Sequence, residues 1–236
     1  MFALSERAWL RYIFVFVAYF AQGLPQGLLF WALPVWLSAN GAEPAAVGIF
    51  IGTSSLPCAL KFVSGFFMDR YPFLPMGKRR AWILGAQAVI LIALLVGALL
   101  APSADQLGIL LALTFSSYLA TAFQDVAVDG LAVDILEEPE RAKANAYMGG
   151  GAILGIAAAT AMSGYFLAQY GTTATFLSLA ALFALIFCLI ALVRERPGER
   201  LLPWTAGEAS QIAAAQHVTS WRKIVTTTWS AMRGRK

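Results

Sequence analysis

Three carboxylates stand at the end of an otherwise apolar stretch, in the segment QDVAVDGLAVD at residues 124–134. Polar residues recur here at intervals of four, which on a helix makes one continuous stripe: Ser117, Thr121, Asp125 and Asp129. Asp134 lies off the stripe beside an acidic loop, where we expect it to be solvated. Acids inside an apolar helix usually face protein or water and mark proton relays or solute paths. Asp125 and Asp129 are therefore candidates for proton coupling or for a buried ion pair.

The composition indicates what surrounds these acids. Apolar residues make up 59% of the chain and charged residues 13%, whereas a soluble domain carries about a quarter charged residues. The chain is therefore expected to be an integral membrane protein, and its excess of basic residues is read as topology rather than as nucleic-acid binding. Cys58 and Cys188 lie in apolar runs and are expected to be buried free thiols. With His217 as the single histidine, no metal, cofactor or catalytic residue is predicted.

Six apolar runs reach the length of about 20 residues that a membrane-spanning helix requires: 12–38, 44–68, 81–101, 107–134, 144–169 and 173–193. The loops after the first, third and fifth runs contain no Lys or Arg, whereas the N-terminus and the other loops do. By the positive-inside rule, both termini are expected in the cytoplasm.

Three regions follow from this assignment. Residues 1–11 are a cytoplasmic N-terminus, residues 12–193 form a six-helix transmembrane bundle, and residues 194–236 are a basic cytoplasmic linker or tail. The tail either leads to more chain or lies on the anionic inner leaflet through Trp221 and Trp229.

Further polar residues are expected along a central path. In the first run, Tyr19, Gln22 and Gln26 share one helical face, which either lines a cavity or marks a kink whose amides bond to neighbouring helices. Asn145 and Tyr147 are expected near the cytoplasmic mouth of the same path. The third and sixth runs carry almost no polar side chains and are expected to face lipid, so that the chain repeats a pattern of three helices twice.

Lys61 is the one basic residue within a predicted span. At a rise of about 1.5 Å per residue, its depth is similar to that of Asp129. We expect it to pair with Asp129 or Asp125, because a cation and an anion lessen each other's cost of burial. The alternative is that Lys61 extends alone to the lipid headgroups.

The segment GFFMDRYPFLPMGKRR at 65–80 resembles the loop between helices two and three of the major facilitator superfamily. The family pattern maps onto Gly65, Asp69, Arg70, Gly77, Arg79 and Arg80. Six residues separate Arg70 from Gly77, where the general pattern has one. That longer form, together with QDVAVDG and with GLPQGLLFWALPVWL in the first run, is similar to one branch, the AmpG-type muropeptide permeases and their acetyl-coenzyme A transporter relatives.

The resemblance implies an all-α transporter in which two six-helix halves, each a 3+3 repeat, alternate in opening to the two sides of the membrane. This chain would be the N-terminal half, with a missing C-terminal half or a second copy as partner. The loop at 65–80 would act as a conformational latch. The implied function is proton-coupled uptake of a small solute such as a muropeptide across the bacterial inner membrane, with solute, protons and lipids as partners.

The sequence carries fewer features of two other function classes than of transport. A hydrolase would need a serine with a histidine, or carboxylates converging from different helices, and neither is predicted from the sequence. A non-transporting membrane assembly or partner-binding protein on the same bundle is the remaining alternative.

Overall fold

The computed structural model describes residues 3–215, together with 220, 221 and 226. Within these residues the chain has α-helices and short 3-10 or π turns but no β-strand, which confirms the all-α class. The α-helices are α1 Ala8–Gly27, α2 Leu33–Ala39, α3 Pro44–Ser55, α4 Lys61–Arg70, α5 Arg80–Leu100, α6 Leu107–Ile135, α7 Arg141–Ala191 and α8 Gln211–Ala215. Trp229 and His217 lie outside the described residues.

Several of these helices are segments of longer, bent ones. A π-helical turn at Leu28–Ala32 joins α1 to α2, directly after Pro25, which has no N–H to give to the helix. A 3-10 turn at Leu56–Leu60 that includes Pro57 joins α3 to α4, with a bend of 43°. Lys61 is the first residue after that bend.

Four stretches of the described chain are long and apolar enough to cross a membrane, and a fifth is added if the bent α3–α4 pair is one span. The longest of them contains α7, whose helical dihedrals are interrupted at Gly171 (φ 79°, ψ −170°). Glycine adopts this conformation readily because it has no Cβ. The predicted runs 144–169 and 173–193 lie on either side of this residue.

The first part of α7 runs parallel to α1 in direct backbone contact. A Cβ on Gly151 or Gly155 would collide with the main chain at Phe16 and Phe20. Further along both helices, the Thr160 hydroxyl donates to the carbonyl of Gly27. Small residues at such interfaces allow the close approach on which helix association in membranes depends.

Beyond Gly171, α7 runs back along α5 in the opposite direction. Near one end, the ring of Phe176 lies against Gly97. Near the other, the guanidinium of Arg80 donates to the carbonyl of Ala191 at 2.6 Å. The 51 residues of α7 therefore form two antiparallel segments that contact different neighbours.

One end of the bundle collects most of the charged loops. A β-bridge joins Ala3 to Arg194, and the Arg11 guanidinium binds the Glu140 carboxylate through two hydrogen bonds of 2.6 and 3.0 Å. The N-terminus, the loop between α4 and α5, the loop between α6 and α7 and the segment after α7 therefore meet on one face. We call this end the basic face.

The predicted burial of the two cysteines is wrong. Cys58 and Cys188 are both free thiols, as expected, but both are exposed on the surface of the bundle. An apolar run does not give the rotation of its helix, and cysteine fits a lipid-facing position as well as a core position.

Candidate functional site

Lys61 and Asp125 form an ion pair between α4 and α6. The Lys61 ammonium lies 2.6 Å from Oδ2 of Asp125. The Asp125 side chain is 18% exposed and that of Lys61 is 39% exposed. Of the two partners that helical depth allowed for Lys61, the structure places Asp125 next to it.

Asp129, one turn further along α6, has a different partner. The Tyr19 hydroxyl of α1 donates a hydrogen bond to Oδ1 of Asp129. The carboxylate is otherwise exposed. The two acids of the stripe are thus held in different ways, Asp125 by a cation and Asp129 by a neutral hydroxyl.

A cleft of about 620 Å³ opens beside Asp129, between α1, α6 and α7. Its lining includes Tyr19, Asp129, Val133, Arg141, Asn145 and Met148. A concave surface of this size with a few convergent polar groups is the usual form of a small-molecule site. The cleft therefore brings together Tyr19 and Asn145, which the sequence placed on the path, and Asp129, which it gave as a candidate for proton coupling or an ion pair.

The other two residues of the polar stripe, Ser117 and Thr121, are buried. Ser117 is 5% exposed and Thr121 is 3% exposed. Their hydroxyls donate to carbonyls one turn earlier in α6, at 2.8 and 2.9 Å. A Ser or Thr that bonds its own backbone in this way needs no water, so these two residues lie in a helix contact and do not line the cleft.

The remaining path candidates of α1 and α7 also differ in exposure. Gln22 is buried, and its amide nitrogen has no hydrogen-bond partner within the described part of the chain. Gln26 is partly exposed. Tyr147 stacks on Tyr12 with ring centroids 5.4 Å apart, outside the cleft lining. Gln124, which the sequence did not single out, is fully buried and donates to the Ala18 carbonyl of α1 at 3.2 Å.

The loop at 65–80 forms a charge cluster on the basic face. Arg79 lies 2.6 Å from Asp69 and 3.7 Å from Asp134. Lys78 lies 3.4 Å from Asp134, whose side chain is only 16% exposed. The expectation of a solvated Asp134 is therefore wrong, because the α4–α5 loop folds over the end of α6. Arg70 stacks over the ring of Tyr71.

Within residues 3–215, no group of three or more His, Cys, Asp or Glu side chains is arranged to hold a metal ion.

The family comparison agrees with a structure of apolar helices around a cleft. Residues 15–236 match the family model described as Major Facilitator Superfamily. The chain belongs to the major facilitator superfamily. The resemblance drawn from the 65–80 loop and from QDVAVDG is thus confirmed.

Three bacterial proteins are similar to this major facilitator chain. An uncharacterized protein of Haemophilus influenzae is 34% identical over 121 residues, covering 51% of this chain and 28% of that protein. An anhydromuropeptide permease of Escherichia coli K12 is 32% identical over 124 residues, covering 52% and 24%. A Rickettsia conorii protein with AmpG 4 in its name is 26% identical over 186 residues, covering 76% of this chain and 41% of that protein.

The alignments thus cover between 24% and 41% of these relatives' own length. The chain is a transporter-family protein with several membrane-crossing helices, and its bacterial permease relatives place it in the inner membrane.

In this major facilitator chain, one residue of the basic face was missed by sequence reasoning. Glu195 is fully buried, and its carboxylate accepts the backbone N–H groups of Lys78 and Arg79 at 3.3 and 3.2 Å. Burial raises the pKa of the Glu195 carboxyl. Gly77 has φ +98°, and a Cβ there would collide with Glu195. The segment after α7 therefore packs against the loop between α4 and α5, although nothing local in RERPGER indicates it.

Arg80 extends the same contact. It is buried at the start of α5, and its guanidinium donates to the carbonyls of Ala191 and Arg200 at 2.6 and 3.2 Å. Gly65 lies against Val126 of α6, where an added Cβ would make an ordinary contact of 3.6 Å. Gly77, Arg79 and Arg80 thus contact the segment after α7 or the end of α6, whereas Gly65 lies deeper along α4.

Proposed function

We propose that this chain is one six-helix half of a proton-coupled secondary transporter for a cell-wall fragment of the muropeptide class. The observation that carries the proposal is the cleft in which Tyr19, Asp129 and Asn145 converge from three helices. An acid held by a neutral hydroxyl at the edge of a solute-sized cleft can exchange a proton as the solute binds or leaves. Asp125, paired with Lys61, is the second coupling group.

Six crossings account for the helix lengths. An unbroken α-helix of 51 residues would be about 75 Å long, whereas the hydrocarbon core is about 30 Å thick. The reversal at Gly171 divides α7 into two segments of suitable length. With α1–α2, α3–α4, α5 and α6, these give six crossings, as in one half of a major facilitator.

The basic face is proposed to be cytoplasmic. Arg11, Lys78, Arg79 and Arg80 all belong to it, and Lys and Arg concentrate in cytoplasmic loops. The loop at 101–106, at the other end of the bundle, contains neither residue. Both the N-terminus and the segment after α7 would then lie in the cytoplasm, where the charge cluster with Glu195 can act as a latch between conformations.

The muropeptide class is supported by the anhydromuropeptide permease among the relatives. The latch loop and the acidic segment of α6 are both part of the pattern that resembles its branch. Uptake of a labelled anhydromuropeptide tests this assignment directly.

The test uses membrane vesicles from cells that express the gene from its own chromosomal locus. Uptake of a labelled anhydromuropeptide is measured with and without an imposed inward proton gradient. We expect the gradient to drive accumulation and either Asp129→Asn or Asp125→Asn to abolish it, while gradient-independent exchange persists. Asp105→Asn, in the loop at 101–106, is the matched control and should behave as the wild type.

Two results would overturn the proposal. If wild-type uptake is the same with and without the proton gradient, transport is not proton-coupled. If the vesicles take up no anhydromuropeptide, the solute is not of the muropeptide class.

An immunoblot of the same membranes adds the mass of the chain. A single denatured band near twice 25.4 kDa would support a second six-helix half within the same polypeptide.

A further inference from the structure

We propose that Arg141 is the residue that recognises a carboxylate of the solute, with Asn145 beside it. The inference rests on the proposed function and names the chemical group that the cleft selects.

Arg141 and Asn145 lie one turn apart on α7, so their side chains leave the helix on the same side. Both line the cleft of about 620 Å³ that also contains Tyr19 and Asp129. Arg141 is exposed and is the first residue of α7, so it stands where the helix meets the basic face. A solute that passes between the cleft and the basic face would pass the guanidinium.

Within the described residues, no hydrogen bond or ion pair engages the side chain of Arg141 or that of Asn145. The neighbouring cations are already occupied. Arg11 binds Glu140 through two hydrogen bonds, and Lys143 lies 4.9 Å above the ring of Tyr12. Arg141 is thus the cation of the first α7 turn whose donors remain available inside the cleft.

The chemistry of arginine indicates which chemical group of the solute Arg141 would bind. Its planar guanidinium offers parallel N–H donors that match the two oxygens of a carboxylate. Asn145 adds an amide that can donate to the same group or to a neighbouring carbonyl. Asp129 lines the same cleft, forms no ion pair with Arg141, and accepts a hydrogen bond from the Tyr19 hydroxyl through Oδ1. The arrangement leaves Arg141 for the solute anion and Asp129 for the proton.

The test compares two probes in the vesicle assay. One is an anhydromuropeptide with free carboxyl groups, and the other is the same molecule with those groups converted to amides. Wild-type vesicles should take up the free acid with the lower KM. Arg141→Gln should raise the KM for the acid about ten- to hundredfold, which is the range of a hydrogen bond to a charged group. It should leave the KM for the amide unchanged.

The controls separate recognition from folding. Lys143→Gln removes a cation two residues away that does not line the cleft, and it should keep the preference for the acid. Arg141→Lys should retain part of that preference, because the charge remains but the fork is lost. Unchanged uptake of the amide shows that each variant is folded and inserted.

The possible results point to different failures. If Arg141→Gln keeps the full preference for the acid, or if it lowers uptake of both probes equally, Arg141 does not recognise a carboxylate while the proposed function stands. If wild-type vesicles take up neither probe, the proposed function fails and this inference fails with it.

Discussion

The ion pair between Lys61 and Asp125 can be tested by a double-mutant cycle. The variants are Lys61→Met, which keeps length but removes charge, Asp125→Asn, and the two together. Each single change leaves one polar partner in a poorly hydrated site without its counter-charge, whereas the double change removes both charges. We therefore expect the double variant to destabilise the bundle by less than the sum of the two single variants.

The magnitude follows from the geometry of the pair. At 2.6 Å, Coulomb's law with an effective dielectric constant of about 20 gives an attraction of about 6 kcal/mol. Dehydration of the two groups offsets most of this, and solvent screens Lys61 further because its side chain is 39% exposed. We expect about 1 to 3 kcal/mol for each single variant and a coupling of about 1 kcal/mol.

The measurement is the free energy of unfolding of the chain in mixed micelles, followed by tryptophan fluorescence as a denaturing detergent is added. Asp129 provides the matched control, since it lies one turn away and is bonded to Tyr19. Lys61→Met combined with Asp129→Asn should show weaker coupling. Strictly additive effects of Lys61→Met and Asp125→Asn would refute the pair as a stabilising contact.

Three further predictions concern other parts of the bundle. Gly155→Val should lower the free energy of unfolding by more than about 1 kcal/mol in the same assay, because its Cβ would meet the α1 backbone. Gly164→Val is the control, since its Cβ meets open space, and it should lower the free energy of unfolding less. Equal losses of stability in the two variants would contradict the contact. Burial raises the pKa of Glu195 above its ordinary value of 4.5, so the folded chain holds that proton more tightly. Stability from this group is full below about pH 4.5 and is lost as pH rises through the folded pKa. Glu195→Gln should flatten that slope of melting temperature against pH, and an unchanged slope would exclude Glu195 as its source. Cys58 lies one turn before Lys61, and it should react with a water-soluble thiol reagent faster than Cys188 does. The reaction is followed by mass spectrometry, with Cys58→Ser as the control. Faster reaction at Cys188 would place the Lys61 side of α4 in lipid.

Much of the fold could be predicted because membrane spans carry their signal locally. The length of each apolar run and the placement of Lys and Arg predicted the helices and the loops between them. Depth along the axis limited the partners of Lys61 to two acids, Asp125 and Asp129, but it does not give rotation about the axis. Choosing between them required the contact itself, which the structure gives between Lys61 and Asp125.

The remaining features depend on contacts that no local pattern reports. Glu195 meets the backbone of Lys78 across a separation of 117 residues. Asp134 is covered by a loop from an earlier part of the chain. Ser117 and Thr121 have the spacing of a wet stripe, but hydroxyls that bond their own helix can equally lie in a dry contact. Spacing alone does not distinguish these two cases.

The glycine contact between α1 and α7 has a consequence for motion. Sliding α1 past α7 by even one residue, about 1.5 Å, would drive a side chain into a facing carbonyl at Gly151 or Gly155. These two helices are therefore expected to travel as one rigid unit. The gap between α1 and α6 is different, since it is crossed by side-chain hydrogen bonds such as Tyr19 to Asp129, which can break and re-form. Widening of the cleft would then start along α6.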